Sequence, residues 1–221
     1  MKKTQQGFTL FEIIVTLLLL SFILSAIPWR KENREHQRIL SSLDILRRGV
    51  RVATNESVLR NTLVRLHFQL SKEPSSFVIE YATAPNHIIR PQTTSAEGSL
   101  AEKQQKEKIL EKFNQNFSKI PDYEKFETVF HSDVKILGIS TEVENRLVST
   151  EDISLYFYPT GEKDSALILF ATTHELVSFE VLPYSDKMQH KLFPMGTNLD
   201  EIGANHKELA EDLYKKWKGQ I

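Results

Sequence analysis

Two neighbouring stretches of the chain decide its fold. The first, residues 8–27, reads FTLFEIIVTLLLLSFILSAI and carries one charged side chain, Glu12. At about 1.5 Å per helical residue, this stretch spans roughly 30 Å, the thickness of the hydrocarbon core of a bilayer. It therefore predicts a membrane-spanning helix. Because the residues before and after it are both basic, the flanks say little about orientation. A secretory signal peptide would have a shorter apolar core and a small-residue cleavage site, a pattern that only Leu24-Ser25-Ala26 approaches.

The second stretch continues the helical pattern, but with a single apolar face. Five apolar residues recur at spacings of 4, 3, 4 and 3: Ile39, Leu43, Leu46, Val50 and Ala53. This spacing is typical of an amphipathic helix, whose other faces here carry Arg47, Arg48 and Arg51. We expect one long helix from about residue 8 to about residue 59, bent near Pro28, where a backbone hydrogen bond is lost. The alternative is two separate helices joined at Pro28.

Beyond residue 60 the apolar pattern changes to a period of two, which is typical of half-buried strands. The predicted strands cover residues 64–70, 77–81, 134–140, 153–158, 166–171 and 176–182. Residues 82–99 are rich in Pro, Thr and Ser and predict a loop. Helical patterns return at 100–120 and at about 205–218. A helix followed by an antiparallel meander predicts an α+β fold.

The composition excludes several kinds of chemistry. The 221 residues include no cysteine, so disulfides, thiolate metal sites and cysteine nucleophiles are ruled out. The seven histidines are scattered without metal-ligand spacing, and no phosphate-binding glycine loop is present. We therefore expect no enzyme activity, metal or cofactor. The loop acids Glu151, Asp152 and Asp186 could bind calcium, but a solvated surface is the simpler interpretation.

Nucleic acid is also not expected as a partner. The formal net charge is −1, and residues 200–221 contain four lysines against five acidic residues. Such a balance gives no electrostatic footprint for a phosphate backbone. The basic cluster Arg47-Arg48-Arg51 lies on the predicted helix, where a solvated or subunit-pairing face is the ordinary explanation.

The segment Gly7-Phe8-Thr9-Leu10-Phe11-Glu12 follows a short lysine-bearing leader and opens the apolar helix. It resembles the type III signal of type IV pilins and type II secretion pseudopilins. The resemblance implies that prepilin peptidase cleaves between Gly7 and Phe8 and that Phe8 is then N-methylated. It also implies that Glu12 pairs with the free N-terminal amine of a neighbouring subunit. Two charges that are each costly in hydrocarbon become tolerable when they neutralise each other. The simpler alternative places Glu12 near the interface, where it would reach the headgroups.

Two further segments, residues 53–66 and 153–161, resemble the minor pseudopilin H group, which includes the FimT and FimU type minor pilins. The resemblance implies a pilin-like fold, with a long N-terminal helix packed on an antiparallel sheet. The expected division is a leader at 1–7, a membrane or filament-core helix at 8–29, an amphipathic helix at 30–60 and a β-rich periplasmic head at 61–221 with a helical insertion near 100–120.

The expected function is therefore structural, as a minor pseudopilin of a type II secretion system, anchored in the bacterial inner membrane. Its expected partners are other pseudopilins or pilins, prepilin peptidase and the inner-membrane assembly platform. The alternatives are a minor type IV pilin of a surface pilus and, from another class, a membrane-anchored periplasmic binding or enzymatic domain.

Overall fold

The computed structural model describes residues 9–26, 31–83, 105, 108–109, 111–120, 128–144, 146–195 and 202–219. The chain divides into two compact units, Met1–Arg34 and Glu35–Ile221. Helix α1 covers Leu10–Ala26 and helix α2 covers Lys31–Arg60. Gly7, Phe8 and the bend expected at Pro28 lie outside the described residues, so these three predictions stay predictions.

The apolar stripe of α2 is confirmed as the helix face that enters the core of the second unit. All five stripe residues have no exposed surface: Ile39, Leu43, Leu46, Val50 and Ala53. They share one cluster with apolar side chains of both sheets. Gly49 lies on the same side, where a Cβ atom would be 2.8 Å from the ring of Phe77. A residue without a side chain therefore lets α2 approach the sheet closely at this point.

The C-terminal end of α2 is closed by a Schellman motif. Asn61 adopts a positive φ of 48°. Its N–H donates to the carbonyl of Val58 at 3.2 Å, and the N–H of Thr62 donates to the carbonyl of Ser57 at 3.1 Å. Asparagine tolerates this left-handed conformation better than most residues. The helix thus stops one residue before Asn61 and the chain turns into the first strand.

The described part of the head contains two antiparallel sheets. The first sheet has the order β3-β2-β1-β6, and a short strand, β4, pairs with the same edge of β2 as β3. Its strands are β1 Val64–Gln69, β2 Ser76–Ala82, β3 Phe117–Lys119, β4 Thr128–Val129 and β6 Ile153–Phe157. The second sheet has the order β5-β7-β8-β9, with β5 Lys135–Thr141, β7 Ala166–Ala171, β8 Glu175–Val181 and β9 Gln189–Pro194.

The second sheet is covered by apolar groups on both of its faces. On β7, Ile168 and Phe170 belong to the cluster that contains the α2 stripe. Leu167 and Leu169 point the other way, toward helix α3, Ile202–Lys218, where they pack with Trp217. All six residues of β7 are buried as a result. This explains why its sequence, ALILFA, is apolar throughout instead of alternating.

The six strands predicted from the period of two are confirmed to within one or two residues. The predicted meander is wrong in one respect, because the chain leaves the first sheet at β5 and returns with β6 to pair with β1. The helix predicted over 100–120 is wrong at its end, because 117–119 pair with β2 as strand β3. Cross-strand pairing there outweighs the local helical pattern. Residues 111–114 are helical.

The short strand β4 and the edge strand β9 were not predicted. β4 has two residues, and β9 contains only two large apolar side chains, Leu192 and Phe193. The described chain thus combines helices with antiparallel sheets, and an N-terminal helix precedes the sheets. This organisation is consistent with the α+β class.

Candidate functional site

Helix α1 begins at a defined cap next to its single acid. Thr9 is the N-cap residue, and its Oγ1 accepts a hydrogen bond from the N–H of Glu12 at 3.2 Å. This is one half of a capping box, in which threonine stands three residues before glutamate. A carboxylate in the first turn also interacts favourably with the helix dipole. The structure therefore places Glu12 in the first turn, on an exposed part of α1.

From Leu10 to Ile23, helix α1 carries exposed apolar side chains on all of its sides. The exposed fraction is 78% for Leu10, 64% for Leu18 and 73% for Phe22. Thr16, the next polar side chain after Glu12, donates its hydroxyl to the carbonyl of Ile13 at 2.9 Å and so satisfies itself within the helix. A helix of this kind is stable only when lipid or other helices cover it, because each exposed apolar side chain is unfavourable in water.

Across the described parts of the chain, no helix combines the length and the apolar character required to cross a membrane. α1 as described contains 17 residues.

On the head, the outer face of the first sheet is covered by the segment 111–119, which includes the helical turn at 111–114. Arg65 is 4% exposed and lies beneath this segment. Its Nε and Nη2 atoms both lie 2.7 Å from Oε2 of Glu80, and its Nη1 donates to the Asn114 side chain. The guanidinium also lies 4.0 Å from the ring centre of Phe117. A buried charge with partners on each side holds the segment in place and leaves little capacity for a ligand.

His67 follows Arg65 by two residues in β1, and a serine and an aspartate lie near it, as in the catalytic triad of a hydrolase. Its Nδ1 is 2.9 Å from Oγ of Ser154, while its Nε2 is 3.8 Å from Oδ2 of Asp152. The second distance is longer than a hydrogen bond, and Asp152 instead accepts hydrogen bonds from the N–H and hydroxyl of Ser71. Burial, with a smaller contribution from the positive charge of Arg65, lowers the pKa of His67. The acid is thus not positioned to orient the imidazole as in a catalytic triad.

The acids considered for calcium are separated in the structure. Glu151 forms an ion pair with Arg146, in which Nη2 and Oε2 are 2.6 Å apart, and Asp152 holds Ser71. Asp186 lies elsewhere, beside α2. Among the residues that the structure describes, no group of three or more histidine, aspartate or glutamate side chains is arranged to hold a metal ion.

An open groove runs beside α2, between its arginine-bearing face and the residues that lead into β9. Its lining residues are Gln37, Leu40, Ser41, Asp44, Arg47, Arg48, Arg51, Asp186, Lys187, Met188, Gln189 and His190. The three arginines treated as one cluster in the sequence have different surroundings here. Arg47 donates to Asp44 at 2.8 Å and lies 2.9 Å from Nδ1 of His190, whereas Arg48 and Arg51 are exposed. The sequence did not indicate that residues 186–190 would face these arginines.

The comparison with protein families identifies the N-terminal segment. Residues 2–28 match the prokaryotic N-terminal methylation motif. No curated protein and no solved structure gives a significant match to the chain. The motif includes Gly7, Phe8 and Glu12, and the part of it that the structure describes forms the start and body of α1.

This motif is typical of type IV pilins and pseudopilins, which are structural subunits and not enzymes. It supports a type IV pilin-like or pseudopilin protein, without distinguishing a minor pseudopilin from a pilus subunit. It implies processing by prepilin peptidase and assembly with other pilin subunits. It also suggests an inner-membrane anchor and a periplasmic head.

Proposed function

We propose that the chain is a minor pseudopilin of a type II secretion system, which assembles from the inner membrane into a short periplasmic filament. The observation that carries this proposal is the methylation motif at residues 2–28, which includes helix α1, with exposed apolar side chains from Leu10 to Ile23. Removal of a leader ending at Gly7 would give Phe8 a free amine, four residues before Glu12. The helix would then pack among the helices of neighbouring subunits.

The physical role of Glu12 follows from its surroundings. A carboxylate in the hydrocarbon of a bilayer costs about 2.5–3.5 kcal/mol on insertion scales. An amine from a neighbouring subunit would offset this cost, because the two opposite charges neutralise each other. Since one pair forms for each subunit added, the pair also sets the axial position of each helix. Glu12 is thus proposed to determine register during assembly.

By the same reasoning, we propose a role for each successive segment of the chain. Residues 1–7 would be the leader, 8–29 the membrane and filament-core helix, 30–60 the amphipathic helix and 61–221 the periplasmic head. The head would have a pilin-like fold, for which the support is the burial of the α2 stripe against the sheets. Its two sheets and the terminal helix α3 would provide the contacts that distinguish this subunit from the others in the filament.

A minor type IV pilin of a surface pilus is the second candidate, because the same motif serves both machines. Deletion of the gene in its host separates the two. Loss of protein secretion with intact surface pili supports the pseudopilin. Loss of pili with intact secretion assigns the chain to the pilus.

The first experiment is a mass analysis of the full chain extracted from membranes, with and without prepilin peptidase. We expect a chain that begins at N-methylated Phe8 only when the peptidase is present. Gly7→Leu should keep its leader, whereas the neighbouring control Gln6→Ala should be processed normally. A chain that still begins at Met1, or one cut near Ala26, would overturn the pilin proposal and leave an anchored or secreted domain.

A further inference from the structure

We propose that the groove beside α2 binds an extended acidic segment of a partner protein. The groove lies entirely within the unit Glu35–Ile221, so its binding is testable independently of leader cleavage and filament assembly. Three features support the proposal: the charges without partners, the apolar floor and the open edge of a strand.

The groove has three exposed basic side chains, Arg48, Arg51 and Lys187, and the two arginines share one helix. Arg48 and Arg51 stand three positions apart on α2, so their side chains project from neighbouring points of one helix face. Both are exposed, and among the described residues neither has an ion-pair partner. Arg47 differs because Asp44 and His190 already hold its guanidinium. The two outer arginines are therefore the ones available to carboxylates of a ligand.

The floor of the groove suits a polypeptide better than a simple anion. Leu40 and Met188 line it and pack against the main core, so they present fixed apolar surface. Gln37 and Gln189 add amide groups that can both donate and accept hydrogen bonds. A ligand that alternates acidic and apolar side chains would satisfy both the arginines and this floor.

The edge strand β9 gives such a ligand a backbone to pair with. Gln189 and His190 line the groove and also begin β9. β9 is the last strand of the second sheet, and its outward edge has no strand partner in the described part of the head. An open edge of this kind is a template for an added strand, which brings hydrogen bonds independent of the side chains.

The distribution of charge favours an acidic protein segment over nucleic acid. Asp44 and Asp186 also line the groove and would repel a continuous phosphate backbone. Three exposed cations, Arg48, Arg51 and Lys187, match a few carboxylates placed at intervals, not one charge at every nucleotide. The partner chemistry is thus that of an extended peptide with separated acids.

Fluorescence anisotropy tests the proposal on the full chain in nonionic detergent micelles at low salt. The probe is a labelled peptide of four Glu-Val repeats with blocked ends. We expect saturable binding, which Arg48→Glu/Arg51→Glu weakens about tenfold or more, because carboxylates would then face like charges. The matched control is Lys207→Glu/Lys215→Glu on exposed positions of α3, which makes the same change in net charge and should leave the affinity unchanged.

Three outcomes would overturn the proposal. The first is absence of saturable binding to the unmodified chain. The second is an equal loss of affinity in the control variant, which would make the attraction a property of net charge. The third is tighter binding of a short single-stranded oligonucleotide than of the peptide. A peptide with N-methylated backbone amides should bind more weakly, and equal binding of that peptide would refute strand addition at β9. If the double Glu variant loses its folded circular dichroism, Arg48→Gln/Arg51→Gln replaces it.

Discussion

Helices α1 and α2 both carry large apolar side chains, yet these side chains meet different surroundings. In α2 the apolar residues form one stripe, and each of the five is fully buried by the head. In α1 they occupy all sides, and the large ones are between 39% and 78% exposed. The apolar stripe of α2 is thus covered by the rest of the same chain. The apolar side chains of α1 need cover from lipid or from other molecules.

The two apolar patterns differ in how well they specify a packing partner. A stripe specifies a folded structure, because only one helix orientation buries it. A helix that is apolar on all sides requires an apolar environment but does not select one partner or one orientation. A polar group is then needed to make that selection. Glu12 is the one acid within α1 and is the residue proposed to do this.

The largest effect is expected from Glu12→Ala. Removal of the carboxylate should make α1 enter a membrane more readily, since about 2.5–3.5 kcal/mol of insertion cost disappears. Incorporation into filaments should nevertheless be abolished, because the proposed pairing partner is lost. The measurement is crosslinking of the chain to other subunits in membranes and sheared filament fractions.

Thr16→Ala is the matched control, because this change also removes a polar group from α1 but one that bonds within the helix. It should assemble normally. Normal assembly of Glu12→Ala would show that the acid has no role in register.

A substitution of intermediate effect compares the two helices directly. Leu46→Ala empties part of the buried stripe and should lower the free energy of unfolding by about 2–5 kcal/mol. Leu20→Ala in α1 removes the same atoms from a side chain that is 57% exposed and should change head unfolding by less than about 0.5 kcal/mol. Denaturant unfolding in micelles, followed by Trp217 fluorescence in a Trp29→Phe background, measures both. Equal losses would mean that α1 is part of the folded core of the head.

Much of the head could be predicted because its elements carry a clear period. The stripe of α2 and the period of two in β1 depend on local spacing alone, and both are confirmed. β3 could not be predicted, because Phe117 continues a helical spacing and only pairing with Ala82 makes it a strand. β9 is mostly polar, since it lies at the edge of its sheet and buries little.

The candidate site was predictable to a similar degree. The motif around Glu12 depends on adjacent residues and could be recognised directly, and residues 2–28 match the methylation motif. The groove depends on the approach of Asp186 and His190 to α2, a helix that ends more than 120 positions earlier in the chain. Contacts at such separation leave no local period. The burial of Arg65 could not be predicted either, because its partners come from another strand and from the 111–119 segment.

The smallest effect is a pH dependence that belongs to the head and not to α1. Because burial lowers the pKa of His67 below its ordinary value of 6.5, the unfolded chain takes up a proton first as the pH falls. The titration of His67 should therefore not change stability above about pH 7.5, and it should reduce stability as the pH falls from 6.5 toward its lowered pKa. His67→Gln should lose less stability between about pH 7.5 and about pH 5.5 than the parent chain. Parallel pH profiles of the melting temperature would contradict this.

Helix α3 is synthesised after the strands that it covers. A chain made from its N-terminus completes β7 and β8 before the residues that cover Leu167, Leu169 and Leu176 exist. Until residues 202–218 emerge, these leucines lack the cover of α3, and exposed apolar surface of this kind promotes aggregation. Trp217 is part of the cover that α3 provides. A product that stops short of residue 202 should therefore aggregate more readily than one that includes α3.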